Sequence, residues 1–129
     1  METKQAHAVS LKKGSYVLFD GKPAIVKSVQ TSRPGKHGHA KCRIEAIGIM
    51  DSKKIVKVYP GHDFVEVPII DKKSAQVLSI SGDKANIMDS ETYETFDVDI
   101  DQEIKEQVKE GSNVVYWEMG TIRIIKQVK

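Results

Sequence analysis

Short runs of β-favouring residues, each closed by a turn signal, recur along the whole chain. Residues 15–19 (Ser-Tyr-Val-Leu-Phe) are the first run, and Asp20-Gly21 closes it with a hairpin signal. Residues 22–30 carry Ile25, Val26 and Val29 and predict the next strand. After a basic, glycine-containing stretch, Cys42, Ile44 and Ala46 alternate with Arg43 and Glu45, which predicts a strand with one apolar face. Ile47, Gly48 and Ile49 blur that alternation. Residues 51–54 read as a turn. Residues 55–59 are mostly apolar, broken by Lys57, and fit a largely buried strand. Pro60-Gly61-His62-Asp63 ends it, and residues 64–67 resume with Val65 and Val67 on one face and Glu66 on the other. Residues 1–10 are polar and are expected to be loosely held, with residues 11–14 turning into the first strand.

Pro68 cannot donate to a ladder, and the segment Pro68-Ile69-Ile70-Asp71-Lys72-Lys73 marks a boundary between residues 1–70 and 71–129. The β pattern then restarts. Residues 75–81 alternate in part, residues 81–84 turn the chain, and residues 85–89 form a short strand. Residues 92–98 are rich in β-favouring types. Residues 101–110 predict a helix: Asp101 is placed to N-cap it, Ile104 and Val108 fall at i, i+4, and Gly111 stops it. Residues 113–117 and 121–128 predict the last two strands. Five short strands with one short helix before the fourth are compatible with an OB-type barrel. The chain shows no internal repeat and no low-complexity tract.

Composition changes this picture in one respect. The formal charge is only +2 over 129 residues, but residues 1–70 hold 12 Lys and Arg against 6 Asp and Glu. Residues 71–129 hold 8 against 12, and all four His lie in the first half. That asymmetry suggests a basic module facing a polyanion beside a more acidic companion. A single cysteine, Cys42, permits no internal disulfide and fits a reducing compartment. No apolar run is long enough to span a bilayer, and no signal-peptide core is evident, so a soluble, cytoplasmic protein without membrane partners is expected.

The basic excess concentrates in residues 31–43, Thr-Ser-Arg-Pro-Gly-Lys-His-Gly-His-Ala-Lys-Cys-Arg, which hold four cations, two His and no acid. Pro34 and the glycines Gly35 and Gly38 are turn chemistry, and strand-like sequence flanks them. The simplest geometry is a hairpin whose tip presents Lys36 between two glycines. Arg33, His37, His39, Lys41 and Arg43 would then contact phosphate, with Pro34, Gly35 and Gly38 shaping the backbone. Few aromatics accompany the stretch, so base stacking is not the obvious mode.

Other chemistries fit less well. A phosphate loop around Gly35-Lys36 would need Gly at Gln30 and Ser or Thr at His37. His37, His39 and Cys42 match no closed zinc spacing, and a further ligand would have to come from His62 or His7. Cys42 lies between Lys41 and Arg43, which would favour a thiolate, but its alternating position favours a small buried residue. Asp97, Asp99 and Asp101 could pair as acid and base, yet a solvated strand end with an N-cap is simpler.

The run Ser32-Arg33-Pro34-Gly35-Lys36-His37-Gly38-His39-Ala40-Lys41 closely resembles the modification loop of the hypusine-containing initiation factor five-A family. Val67-Pro68-Ile69-Ile70-Asp71-Lys72-Lys73, Ile87-Met88-Asp89 and Thr92-Tyr93-Glu94 resemble it too, so the likeness runs through nearly the whole chain, and the short ends look archaeal. Arg33 stands where Lys is common in that family. The resemblance implies a mostly β protein, an SH3-like N-terminal barrel followed by an OB barrel. It implies a non-enzymatic translation factor that binds ribosomal RNA near the exit site and positions the acceptor end of peptidyl-tRNA, aiding peptide bond formation at stalling sequences and termination. It implies that Lys36 receives an aminobutyl group from spermidine, added by a separate deoxyhypusine synthase using NAD and hydroxylated in some lineages. No bound cofactor or metal is expected. A single-strand RNA-binding protein or RNA chaperone of the cold-shock type is the alternative from another class.

Overall fold

The structure, a computed structural model, describes residues 1–32 and 40–129. The expectations placed on Arg33, Pro34, Gly35, Lys36, His37, Gly38 and His39 lie outside the described residues. The chain divides into two compact units, residues 2–69 and Met1 with residues 70–129.

In the first unit, strands β1 (Thr3–His7), β2 (Tyr16–Phe19), β3 (Lys22–Ser32), β4 (Lys41–Gly48), β5 (Lys54–Pro60) and β6 (Phe64–Pro68) form one sheet in the order β1-β6-β2-β3-β4-β5. Asp20 and Gly21 join β2 to β3 with φ of 51° and 79°, the two positive values of the tight hairpin turn whose twist matches the strands. A register shift between Val26 and Ser28 interrupts the β3–β4 ladder, which is why the apolar residues of residues 22–30 do not alternate cleanly. Along β4 the alternation holds through Gly48, with Cys42, Ile44 and Ala46 fully buried, and Ile49 beyond the strand is buried as well. Val65 of β6, Phe19 of β2, Val26 of β3 and Ile44 of β4 belong to one core cluster. Strands that lie apart in the sheet order meet at a common core only if the sheet rolls, and this is the SH3-like half.

Two expectations fail here. Residues 1–10 are not loose: β1 pairs with β6 from Thr3↔Pro68 to His7↔Phe64, and a 3-10 turn over Ala8–Ser10 buries Ala8 completely. The tie is made of main-chain bonds and small side chains, including the Ala8 N–H to Asp63 O at 2.9 Å, so hydrophobicity gives little sign of it. Residues 55–59 are not largely buried either. β5 is an edge strand on which Val56 and Val58 are exposed, and Lys57 reaches back to Asp20 at 2.8 Å.

The second unit is a closed barrel of β7 (Asp71–Ser81), β8 (Lys84–Asp89), β9 (Thr95–Ile100), β10 (Asn113–Met119) and β11 (Ile122–Val128), ordered β10-β11-β9-β8-β7 with β10 closing on β7. β11 runs parallel to β9 at Ile124↔Asp99 and Ile125↔Ile100, and the remaining pairs are antiparallel. This is the five-stranded Greek-key barrel of the OB fold. Tyr116, Ile87 and Ile125 are buried inside it, and Phe96 packs edge-on to Tyr116 with centroids 5.5 Å apart.

The helix expected over residues 101–110 does not form; the segment holds a three-residue 3-10 turn, Lys105–Gln107. Asp101 does accept the Glu103 N–H at 3.1 Å, as an N-cap would, but its other oxygen takes Lys126 Nζ at 2.6 Å. Only Ile104 and Val108 supply apolar contact, and both reach the barrel core from this irregular crossing, Val108 in extended conformation. Ten residues with so little apolar face cannot repay helix nucleation.

Candidate nucleic-acid interface

The β3–β4 ladder runs up to the edge of the basic stretch. Gln30 faces Arg43, Thr31 faces Cys42, and Ser32 faces Lys41. β5 flanks β4 on the other side, with Lys41 opposite Pro60 and Cys42 opposite Tyr59. Ser32 and Lys41 are therefore the last paired residues of a hairpin base fixed by main-chain pairing.

Two further elements brace the returning arm. The Gly61 N–H donates to Ala40 O at 2.7 Å. A Cβ on Gly61 would meet Val9 Cγ1 at 2.8 Å and Ala40 O at 3.2 Å, so the turn after β5 can lie this close only as glycine. From the interior, the Cys42 thiol donates to Ala8 O at 3.5 Å. Cys42 is fully buried, which settles its role as a packed small residue rather than an exposed nucleophile.

The described cations of the stretch differ in their surroundings. Lys41 is exposed. Arg43 Nη1 lies 2.6 Å from Glu45 Oε1 on the same face of β4, with Lys54 Nζ at 3.6 Å from the same oxygen. The hydrogen bond from Arg43 holds the Glu45 carboxyl below its ordinary value, and Lys54 adds to the effect. Arg43 thus carries its own counter-charge, and Lys41 does not share that pairing. Near the turn of β2 and β3, the Asp20 carboxylate raises Lys57 above the usual lysine value through their hydrogen bond.

The other candidate clusters are dispersed. Among the described residues no three His, Cys, Asp or Glu side chains gather as a metal ion requires. His7 and His62 do come together, but through a backbone atom: His7 Nδ1 lies 3.3 Å from His62 O. Of the acidic run, Asp97 accepts from Asn86 Nδ2 at 3.1 Å, Asp99 lies 3.9 Å from Lys84, and Asp101 pairs with Lys126. Each has a structural partner. What sequence reasoning missed is the bracing set: Ala8 and Val9 from the first ten residues, and Gly61 from the turn after β5. Their only sequence signal is the Pro60-Gly61 pair, which reads as an ordinary turn.

A rolled β sheet whose β3–β4 hairpin flanks the acid-free basic stretch of residues 31–43, followed by an OB barrel, defines a small two-unit β protein. Residues 1–63 match the family described as "Translation initiation factor 5A-like, N-terminal", and residues 69–129 match "Eukaryotic elongation factor 5A hypusine, DNA-binding OB fold". Translation initiation factor 5A of Pyrococcus horikoshii is 52% identical over 121 residues, covering 90% of this chain and 88% of that protein. The protein of the same name from Korarchaeum cryptofilum is 45% identical over 129 residues, covering 98% and 96%. The solved structure of eukaryotic translation initiation factor 5A from Methanococcus jannaschii superposes with a TM-score of 0.88 at 44% identity, covering 98% of this chain and 95% of that one. A family member from Naegleria fowleri superposes at 0.82 with 33% identity, covering 100% and 99%. The chain belongs to the translation initiation factor 5A family, a family of translation factors and not a class of enzymes. Among the described residues no helix is long and apolar enough to cross a membrane.

Proposed function

We propose that this translation factor works in the cytoplasm on the ribosome near the exit site, where Lys36, extended to deoxyhypusine or hypusine, positions the acceptor end of peptidyl-tRNA. The observation that carries this is the sequence Gly35-Lys36-His37-Gly38 strung between Ser32 and Lys41, the last paired residues of a braced β hairpin. An unmodified lysine offers one compact cation on a four-carbon stem. An aminobutyl extension, donated by spermidine through deoxyhypusine synthase, adds reach and a second cation. Such a side chain can enter a narrow RNA channel and bridge phosphates or 2′-hydroxyls, while the flanking glycines keep bulk away. The factor performs no chemistry of its own in this reading. It holds the tRNA end in a reactive geometry, and the ribosome forms or hydrolyses the bond.

The test is Lys36→Arg in cells that depend on the protein. The substitution keeps the charge and cannot be extended, so folding is retained while rescue at stalling sequences is lost. Full rescue by Lys36→Arg overturns the reading.

A further inference from the structure

Where the β3–β4 register shifts, Val26 faces Ala46, Ser28 faces Glu45, and Lys27 is the extra residue with no partner on β4. Such a bulge re-aims a side chain, and Lys27 is exposed. On its other side the Val26 peptide groups are taken by the turn that precedes β2. The Val26 N–H donates to Ser15 O at 2.7 Å, and the Gly14 N–H donates to Val26 O at 2.8 Å. These two bonds bring Lys13, just before Gly14, alongside Lys27, just after Val26. The turn is itself fixed. The Ser15 N–H donates to Lys12 O at 2.9 Å, the Lys12 N–H donates to Ser15 Oγ at 3.1 Å, and Leu11 ahead of it is buried in the core. Three lysine backbones are thus held together before any ligand arrives.

The charge around them is one-sided. Lys12, Lys13 and Lys27 are all exposed, and among the described residues none of them is in an ion pair. The acid that the ladder brings beside Lys27 is Glu45, opposite Ser28, and it lies 2.6 Å from Arg43 and 3.6 Å from Lys54. No acid stands within two residues of any of the three in sequence, whereas Lys4, Lys22 and Lys53 of the same unit have Glu2, Asp20 and Asp51 at that spacing. The residues that share this surface, Gly14, Ser15 and Ser28, are small, and the apolar Leu11 and Val26 beside them are buried. Protein–protein sites centre on aromatic or apolar anchors and are poor in lysine. A phosphate backbone is held by lysines and hydroxyls alone, so this surface fits RNA better than an acidic protein.

We propose that Lys12, Lys13 and Lys27 form a second phosphate-binding site, built on the β3 bulge, that grips the ribosomal RNA backbone away from the basic loop. The proposal rests on the reading of the chain as a ribosome-bound factor and adds an anchor that the loop does not supply. Lys27 and Ser32 are five residues apart on β3, about 17 Å at the rise of a strand, so the two sites engage separate phosphates. The anchor fixes the first unit on the RNA, and the hairpin that starts from the same strand is thereby aimed. Each phosphate contact contributes roughly 0.7–0.9 to the slope of log affinity against log salt, so three contribute about 2–3.

The experiment measures binding of the full chain to purified ribosomes as a function of potassium chloride, each form being made as a tagged second copy in its native cells. The triple variant Lys12→Gln, Lys13→Gln, Lys27→Gln lowers the slope by about 2–3 and weakens binding at least about tenfold at 0.1 M salt. Replacing the same three residues by Arg retains both. The control Lys4→Gln, Lys22→Gln, Lys53→Gln changes the net charge equally and leaves the slope near that of the unsubstituted protein. Thermal melting checks that these exposed substitutions leave the fold unchanged. An unchanged slope in the first variant overturns the site, and is also the outcome if the patch docks an acidic protein. An equal fall in the control overturns it too, by showing a general effect of charge. Both results leave the proposed function standing, since the unsubstituted protein still binds. Unsubstituted protein that does not bind ribosomes overturns the site and the proposed function together.

Discussion

The Tyr116 hydroxyl donates to Asp89 Oδ2 at 2.5 Å in the interior of the OB barrel. The other oxygen of Asp89 accepts the N–H groups of Glu91 and Thr92 at 2.8 and 3.0 Å. One carboxylate therefore joins β8, β10 and the β8–β9 turn, in which Tyr93 is held at a φ of 61°. These hydrogen bonds, Tyr116's foremost, lower the Asp89 carboxyl to about 2, and burial together with the same bond raises the Tyr116 phenol.

That arrangement makes stability acid-sensitive in a defined window. A carboxyl lowered from 3.8 to about 2 on folding binds its proton more weakly in the native state. Its contribution is present above pH ~4 and is lost as pH falls toward 2, on the order of 2 kcal/mol in all. Denaturant melts from pH 5 to pH 2 should show this loss in the native protein and not in Asp89→Ala. The variant itself should be destabilised by ~2–4 kcal/mol at neutral pH, since it strands a buried hydroxyl and two N–H donors. Equal acid sensitivity in the variant contradicts the assignment.

Asp101 and Lys126 form the second internal pair, with side chains 7% and 14% exposed. Removing one partner leaves a buried charge uncompensated, so Lys126→Met should cost ~3–5 kcal/mol. Adding Asp101→Asn to it should return part of that loss, because Asn can still accept from Glu103. A double-mutant cycle by urea unfolding reads the coupling, and additive effects contradict it.

Gly61→Ala should strain the hairpin base. Its Cβ would lie 2.8 Å from Val9 Cγ1 and 3.2 Å from Ala40 O, so one of them must move. A loss of ~1–3 kcal/mol in thermal or denaturant stability is expected. The distinguishing readout is amide exchange that speeds up at position 61, whose N–H donates to Ala40 O, and stays unchanged at β7 of the other unit. Unchanged exchange at position 61 would show that the turn accommodates the methyl.

Lys41 and Arg43 should differ as RNA contacts. Lys41 is exposed, whereas Arg43 shares its charge with Glu45. Lys41→Ala should lower the salt slope of ribosome binding by about 1, the value of one phosphate contact, and Arg43→Ala by less. The opposite order contradicts this reading of the hairpin.

Which parts of the fold were legible in the sequence follows from how local their causes are. Asp20-Gly21 specifies its hairpin within two residues, and every strand of the OB barrel reads out because apolar positions fill its interior. β1 is polar on an edge, and its partner β6 lies some sixty residues on, so no local pattern marks it. The helix over residues 101–110 failed for the opposite reason: the local signals, a cap and an i, i+4 pair, were present but were put to other uses by Lys126 and the barrel core. Residues 33–39 lie outside the described residues, and the basic excess of residues 31–43 was legible as composition. Its brace was not, because His7 and His62 meet across 55 residues of sequence and Gly61 is identified only by the space around it.

The most direct measurement is fragment mass spectrometry of the protein purified from its native cells, on the peptide that contains Lys36. The prediction is the added mass of an aminobutyl group, with or without one oxygen, located on Lys36 and absent from the neighbouring Lys41. An ordinary lysine at position 36 in the bulk of native material would contradict the proposal that an extended amine is what this hairpin carries.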